Sequence, residues 1–248
     1  SKTDTVAITV TPVNDAPVVT VASNALPTLE DAAITFQIAT QLSGKVTDVD
    51  NDPLQGIVIV QNTVAIGSGT WAWSSNGTDW TDFPTNYLGV IDWTQVMYLN
   101  ASDSIRFTPA TNYHGSSFGL LNFRAVDATL GTIASGTKIN VNSQIGHAVS
   151  NQPGFFEPSI TPVNDAPVLT VATTTPTFTE GSGSNQGNPV YLFNPLTYST
   201  GAANESAQKI TSLTFTVSGL RDGSSEVMLL ASNAVALVDG VSGFTVNA

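Results

Sequence analysis

Thr11-Pro12-Val13-Asn14-Asp15-Ala16-Pro17-Val18 returns unchanged as Thr161-Pro162-Val163-Asn164-Asp165-Ala166-Pro167-Val168. β-Branched and apolar residues flank both copies: Val6, Ile8, Val10, Val19 and Val21 around the first, Ile160, Leu169 and Val171 around the second. Such residues on alternating positions read as extended chain. The octapeptide therefore joins two strands. Its prolines fix φ and push the residues before them out of the helical region, so 12–17 is expected to be a stiff connector. Asn14 and Asp15 place side-chain oxygens on it. A turn-favouring Asn-Asp pair would need nothing more, but duplication at a module junction points to a calcium-binding joint. The repeat divides the chain into 1–17, the closing strand and connector of a preceding repeat; 18–167, a complete β-sandwich; and 168–248, a second sandwich module. The last is barely half as long as its neighbour, which leaves open whether it is truncated.

Charge and composition narrow the function. The chain has 19 acidic and 7 basic residues, a net charge of −12. That balance argues against nucleic acid or an anionic membrane as partner. Between Lys45 and Arg106 lie Asp48, Asp50, Asp52, Asp79, Asp82, Asp92 and Asp103 and no Lys or Arg at all. Such a strip either attracts cations or repels itself. With no cysteine, neither disulfides nor thiolate metal sites can form. No apolar run is long enough for a transmembrane helix, so membrane insertion is not expected. The opening Ser-Lys-Thr-Asp-Thr is neither a signal peptide nor a lipidation motif, and the sequence is expected to be a piece of a longer chain.

Taken in order, 18–22 reads as a strand, Leu26-Pro27 as a turn, and Ile34, Phe36 and Ile38 as one half-buried strand. The continuous apolar run 57–60 suits a strand inside the sandwich. Trp71-Ala72-Trp73-Ser74-Ser75-Asn76-Gly77-Thr78-Asp79-Trp80 predicts a hairpin, with Asn76-Gly77 as a type I′ turn and Trp71, Trp73 and Trp80 on one face. Strands follow at 96–99, 105–108 and 120–126. A Gly-, Ser- and Asn-rich connection over 128–153 is expected to be functional or mobile. A closing strand over 155–160 must accommodate Pro158 at an edge or a bulge.

Strand parity then sorts the acids. If the first strand of the complete module leaves the connector and the second returns, the loop 48–52 comes back beside Asn14 and Asp15. The strand ending at Asp127 returns to the same end. Asn14, Asp15, Asp48, Asp50, Asp52 and Asp127 thus converge, and Ca²⁺, which takes 6 to 8 oxygen ligands, would neutralise them. The plain alternative is a set of turn carboxylates pointing separately into water. Glu30 and Asp31, with Asn112, fall at the opposite end beside Asn164 and Asp165, a second candidate site with no matching loop from the following module. His114 and His147 are too few and too far apart for zinc.

In combination, the octapeptide, Leu29-Glu30-Asp31, Asp48-Val49-Asp50-Asn51-Asp52, Pro109-Ala110-Thr111-Asn112-Tyr113-His114-Gly115 and Ala125-Val126-Asp127 resemble the cadherin-like, Ig-like tandem repeats of large bacterial RTX-type surface adhesins. The hairpin from Gly69 to Trp80 is similar to one in many such repeats. Residues 168–248 depart from the pattern, offering only Asn204-Glu205-Ser206-Ala207-Gln208 where an aspartate loop is expected. The resemblance implies an all-β fold of tandem β-sandwich modules and a calcium-stiffened extender segment in a secreted, extracellular protein of the bacterial cell surface. Its partners would be adjacent repeats of the same chain, with other domains reaching cell-surface glycan or protein. A rival reading is a carbohydrate- or peptide-binding module using Trp71, Trp73, Trp80 and Trp93 or the 128–153 loop. An enzyme is not expected, because no nucleophile elbow, His-Glu-x-x-His or phosphate-cradling glycine loop occurs.

Overall fold

The computed structural model describes residues 3–84, 91–116 and 120–165, and beyond them four strands and a few single positions. The chain is all-β and separates into two units, Ser1–Val163 and Asn164–Ala248. In chain order the first unit comprises β1 (Val18–Val19), β2 (Ser23–Leu29), β3 (Ile34–Gln37), a short helix α1 (Ile38–Leu42), β4 (Val46–Thr47) and β5 (Leu54–Asn62). There follow β6 (Gly69–Ser74), β7 (Thr81–Asp82), β8 (Val96–Asn100), β9 (Ser104–Pro109), β10 (Gly115–Ser116) and β11 (Leu121–Asp127). A 3₁₀ turn (Ala128–Leu130), β12 (Lys138–Ile139) and β13 (Gly154–Thr161) complete it.

The larger sheet runs β10-β13-β11-β5-β8-β12, with β2 parallel to β13; the smaller runs β3-β9-β6-β7. Ile57, Ile59, Leu99, Leu121, Phe123 and Phe156 of the first sheet and Trp71, Ile105 and Phe107 of the second form one core. Burying such faces against each other is the main stabilising term of a two-sheet domain. Strand β5 is apolar from Gly56 to Val60 because both its faces are covered there. Val58 and Val60 meet a second cluster with Val96, Tyr98, Val126, Val141 and Val149. Val141 and Val149 come from the 128–153 connection, so this part of the chain, far from being a free loop, seals the outer face of the sheet and pairs β12 with β8.

Several local expectations are corrected. Leu26 and Pro27 form no turn; they lie in β2, whose only strand partner among the described residues is β13, an edge position that tolerates proline. Strand β3 stops at Gln37, and Ile38 and Leu42, four apart in α1, both enter the core. Pro158 sits where the ladder on one side of β13 passes from β11, which pairs up to Phe156, to β10, which begins at Ser159. Among the described residues Pro158 has no ladder partner on that side, where its lack of an N–H would matter. Val6, Ile8 and Val10 belong to no strand, because residues 3–17 have no ladder partner among the described residues.

The hairpin forms, with Trp73 opposite Thr81 and Ala72 opposite Asp82, but its turn is not type I′. Gly77 has φ +78° while Asn76 has a negative φ, and the Asn76 side-chain oxygen instead accepts the N–H groups of Thr78 and Asp79. Trp71 is only 1% exposed and packs on Phe107; Trp73 is half-buried against the same core. Trp80 does not share their face. It lies under the Arg106 guanidinium, 4.2 Å from ring centroid to carbon, and Arg106 alternates with core-facing Ile105 and Phe107.

In the second unit β14 (Val168–Thr173) pairs antiparallel with β15 (Phe193–Ser199), and β16 (Val227–Leu230) with β17 (Asn233–Ala236). The expected strand around Ile210, Leu213, Phe215 and Val217 and the segment 204–208 lie outside the described residues.

Candidate metal centre

The loop 48–52 is shaped by its own aspartates. Asp48 Oδ1 accepts the Asp50 N–H at 2.8 Å, and the Asp48 carbonyl accepts the Asn51 N–H at 3.3 Å. Asn51 adopts φ +62°, a left-handed conformation that asparagine tolerates better than most residues. The tight reversal turns Asp48, Asp50 and Asp52 to a common point, with carboxylate oxygens all within 4.8 Å of one another. Oxygens on opposite sides of one Ca²⁺ are separated by about 5 Å, twice the usual Ca–O distance. The three can therefore ligate a single ion. Asp48 Oδ2 is buried without a hydrogen-bond partner, and among the described residues no basic side chain forms an ion pair with any of the three.

A fourth carboxylate is delivered by an irregularity in the ladder. Val126 pairs with Gly56 but Asp127 with Leu54, leaving Gln55 as an extra residue. A bulge of this kind bends the strand and re-aims the side chain at its end. Asp127 is completely buried, with Oδ1 accepting the Thr129 N–H at 2.8 Å and Oδ2 accepting Asn14 Nδ2 at 3.1 Å. Asn14 Nδ2 also donates to the His147 carbonyl at 2.9 Å. The Asp15 N–H donates to Asp50 Oδ2 at 2.8 Å, while the Asp15 side chain is exposed. Connector, loop and strand end thus meet, Asp15 through its backbone rather than its carboxylate. Partial burial, then the charges of Asp127, Asp48 and Asp50, push the Asp52 pKa above the ordinary carboxylate value. The charge part of this shift is a negative field that a cation would relieve.

Two participants escape the sequence reading. Thr129 was signalled, since Asp-x-Thr after a strand favours a side-chain-capped turn. The His147 carbonyl was not, because a backbone acceptor contributed by a long connection leaves no residue-type signature.

The opposite end is built differently. Glu30, 2% exposed, accepts the Val163 N–H on Oε1 at 2.6 Å and faces His114 Nδ1 across 3.2 Å from Oε2. Asp31 is exposed and its Oδ1 accepts the Asn112 N–H at 3.4 Å; both residues have left-handed φ, +61° and +57°. Glu30, Asp31 and Asn112 come together as the parity argument places them. Asn164 and Asp165 lie past the unit boundary, which falls after Val163. Among the described residues of the first unit this end offers a carboxylate already engaged by protein donors, and no cluster of three acids.

The chain has no significant match among protein-family models, curated proteins or solved structures. One arrangement among the described residues, Asp48, Asp50 and Asp52, has the geometry to hold a metal ion. No helix among them is long and apolar enough to cross a membrane.

Proposed function

We propose that the chain is a calcium-stiffened extender segment of a secreted bacterial cell-surface adhesin, with tandem β-sandwich modules holding a binding tip away from the cell. The observation that carries this reading is the convergence of Asp48, Asp50 and Asp52 within single-ion distance, beside buried Asp127 and the Asn14-Asp15 connector. Oxygen-only ligands of high negative charge suit a hard cation such as Ca²⁺ rather than zinc or copper. Asp48, Asp50 and Asp52 would hold it directly, and Asp127 would supply further negative charge. A half-turn of the Asn14 carboxamide would bring its oxygen toward the ion. The ion neutralises carboxylates that repel one another and, through Asp50, fixes the connector to the loop. A connector clamped in this way transmits force between modules instead of bending.

The hairpin tryptophans give the rival binding-module reading little support. Trp71 is in the core, Trp73 packs against it, and Trp80 is capped by Arg106. No open aromatic platform is left on this hairpin.

The test is a thermal melt with excess chelator and with millimolar calcium, alongside calorimetric titration. Extracellular sites bind calcium with a Kd of roughly 10⁻⁴ to 10⁻³ M. At about 100 times Kd the ion contributes roughly 2.7 kcal/mol, which raises Tm by about 5–10 °C for a chain of this size. Superimposable melts and no heat of binding would refute the calcium role.

A further inference from the structure

Asn76-Gly77 is the one Asn-Gly pair in the chain. With no side chain to obstruct it, a glycine nitrogen reaches the carboxamide carbon of a preceding asparagine more readily than that of any other residue. The reaction that follows is intramolecular. The Gly77 nitrogen bonds to Asn76 Cγ and gives up its proton, the Cγ–Nδ2 bond breaks and ammonia leaves, and water then opens the cyclic succinimide to aspartate or isoaspartate. The pair lies at the exposed tip of the β6–β7 hairpin, where even a Cβ built on Gly77 would meet nothing within 4 Å. Crowding therefore sets no bar to ring closure.

Hydrogen bonds hold both reacting groups instead. The Gly77 N–H donates to Ser74 Oγ at 2.9 Å, and that hydroxyl, on a residue only 1% exposed, donates to Asn76 Oδ1 at 3.0 Å. Oδ1 also accepts the Thr78 and Asp79 N–H groups, each at 2.9 Å, and Nδ2 donates to Asp79 Oδ2 at 2.7 Å. Cyclisation requires the carboxamide to turn its carbon to the Gly77 nitrogen, and the closed tip ties both polar atoms of that carboxamide elsewhere. We propose that Asn76-Gly77 is a latent self-modification site, kept as the amide while the hairpin tip is closed and converted to the acid once the tip opens.

The product does not restore the turn. In an aspartate at position 76 an oxygen replaces the nitrogen that donates to Asp79 Oδ2, so a hydrogen bond becomes a contact between two like charges. In an isoaspartate the main chain runs through the former side chain, and the oxygen shared by the Thr78 and Asp79 N–H groups is drawn into it. Strand β7 begins two residues after Asp79 and pairs with β6 only through Ala72–Asp82 and Trp73–Thr81. A ladder that short depends on its turn. One opening of the tip is thereby kept as a permanent gain of negative charge and a weaker hairpin. None of these atoms belongs to the 48–52 loop, the connector or Asp127, and the reaction needs no cation.

The test incubates the full chain in mildly alkaline buffer with chelator, folded and in urea, and follows conversion at residue 76 by peptide mapping and mass spectrometry. Two net hydrogen bonds of ordinary strength predict conversion roughly 30-fold slower in the folded chain than in the unfolded one. Ser74→Ala and Asp79→Ala each remove part of the clamp, and thermal melts show whether each is folded. Either variant, folded, is expected to convert roughly 5-fold faster than the parent, and in urea at the parent's rate. Asp79 is exposed and outside the core, so it carries the comparison if Ser74→Ala does not fold. Asn76→Asp, the product itself, should melt below the parent, and adding Asp79→Asn should recover most of that loss. Equal rates in the folded and unfolded parent overturn the proposal, as do folded variants that convert no faster than the parent. A slower folded rate in Ser74→Ala overturns it too, since Ser74 would then relay the Gly77 proton to Oδ1 and promote the reaction. So does an Asn76→Asp chain as stable as the parent.

Discussion

The two ends of the first unit solve the same problem, acidic side chains in tight loops, in opposite ways. At one end Glu30 is withdrawn from water and met by protein donors, the Val163 N–H and the His114 imidazole. At the other, Asp48, Asp50 and Asp52 converge beside buried Asp127, and the described donors to these carboxylates are N–H groups, the Asn14 amide and the Thr129 hydroxyl. Both ends use left-handed turn residues, Asp31 and Asn112 at the first and Asn51 at the second. The difference is therefore in charge balance rather than backbone shape. A buried carboxylate satisfied by its own protein is a structural element complete without an ion. A cluster of like-charged carboxylates with no basic partner is the kind of arrangement a cation can neutralise.

The largest effect should come from the self-sufficient end. Glu30→Ala leaves the Val163 N–H and the His114 ring without their acceptor, at a cost of roughly 2–4 kcal/mol for two donors, one of them a backbone group. Urea denaturation in chelator and in calcium should show the same loss. A loss that appears only with calcium would erase the distinction between the ends.

Next in size is the end proposed to hold calcium. Asp50→Ala removes one ligand and the acceptor of the Asp15 N–H, and should abolish most of the calcium-induced rise in Tm, about 2.7 kcal/mol at saturation, while the chelated sandwich stays folded. Retention of the full shift would move the ion elsewhere.

A smaller effect, and one that sharpens the contrast, follows from Asp52. Its pKa is raised in the folded chain, so the fold binds its proton more tightly than the unfolded chain does. The associated stability is fully present below the ordinary carboxylate value of about 3.9 and is lost as pH rises through the raised one. Chelated protein should lose this contribution over that interval. Calcium, which requires the ionised carboxylates, should become more stabilising over the same interval, so that melts with and without calcium draw apart as pH rises. A gap that narrows instead would contradict the placement of the ion beside Asp52.

The smallest change is expected at the loop tip. Asn51→Gly keeps a left-handed residue at φ +62°, and relief of local strain should nearly cancel the added freedom of the unfolded chain, within about 0.5 kcal/mol. Asn51→Val should cost about 1–2 kcal/mol and weaken calcium binding through the displaced carboxylates. Chemical denaturation of both variants separates these outcomes.

Much of this chain was legible in its residues. The hairpin appears in the period-two alternation around Trp71 and Trp73, and the apolar run 57–60 announces a strand covered on both sides, because covering each face requires an apolar side chain at each position. Parity alone was enough to bring the 48–52 loop, Asp127 and the connector to one end, since antiparallel strands of similar length reverse direction each time. What sequence could not decide depends on contacts between segments remote in the chain. That Pro27 lies in a strand follows from the parallel pairing of β2 with β13, more than a hundred residues away. That Trp80 leaves the face of Trp71 follows from an Asx turn longer than a two-residue hairpin loop. That 128–153 is a cover rather than a free loop depends on Val141 and Val149 finding the outer face of β5 and β8. The aim of Asp127 is set by one extra residue, Gln55, in the opposite strand. Residue types fix which groups can bind a cation or fill a core. Only the pairing of distant strands, with its register and bulges, fixes which of them meet.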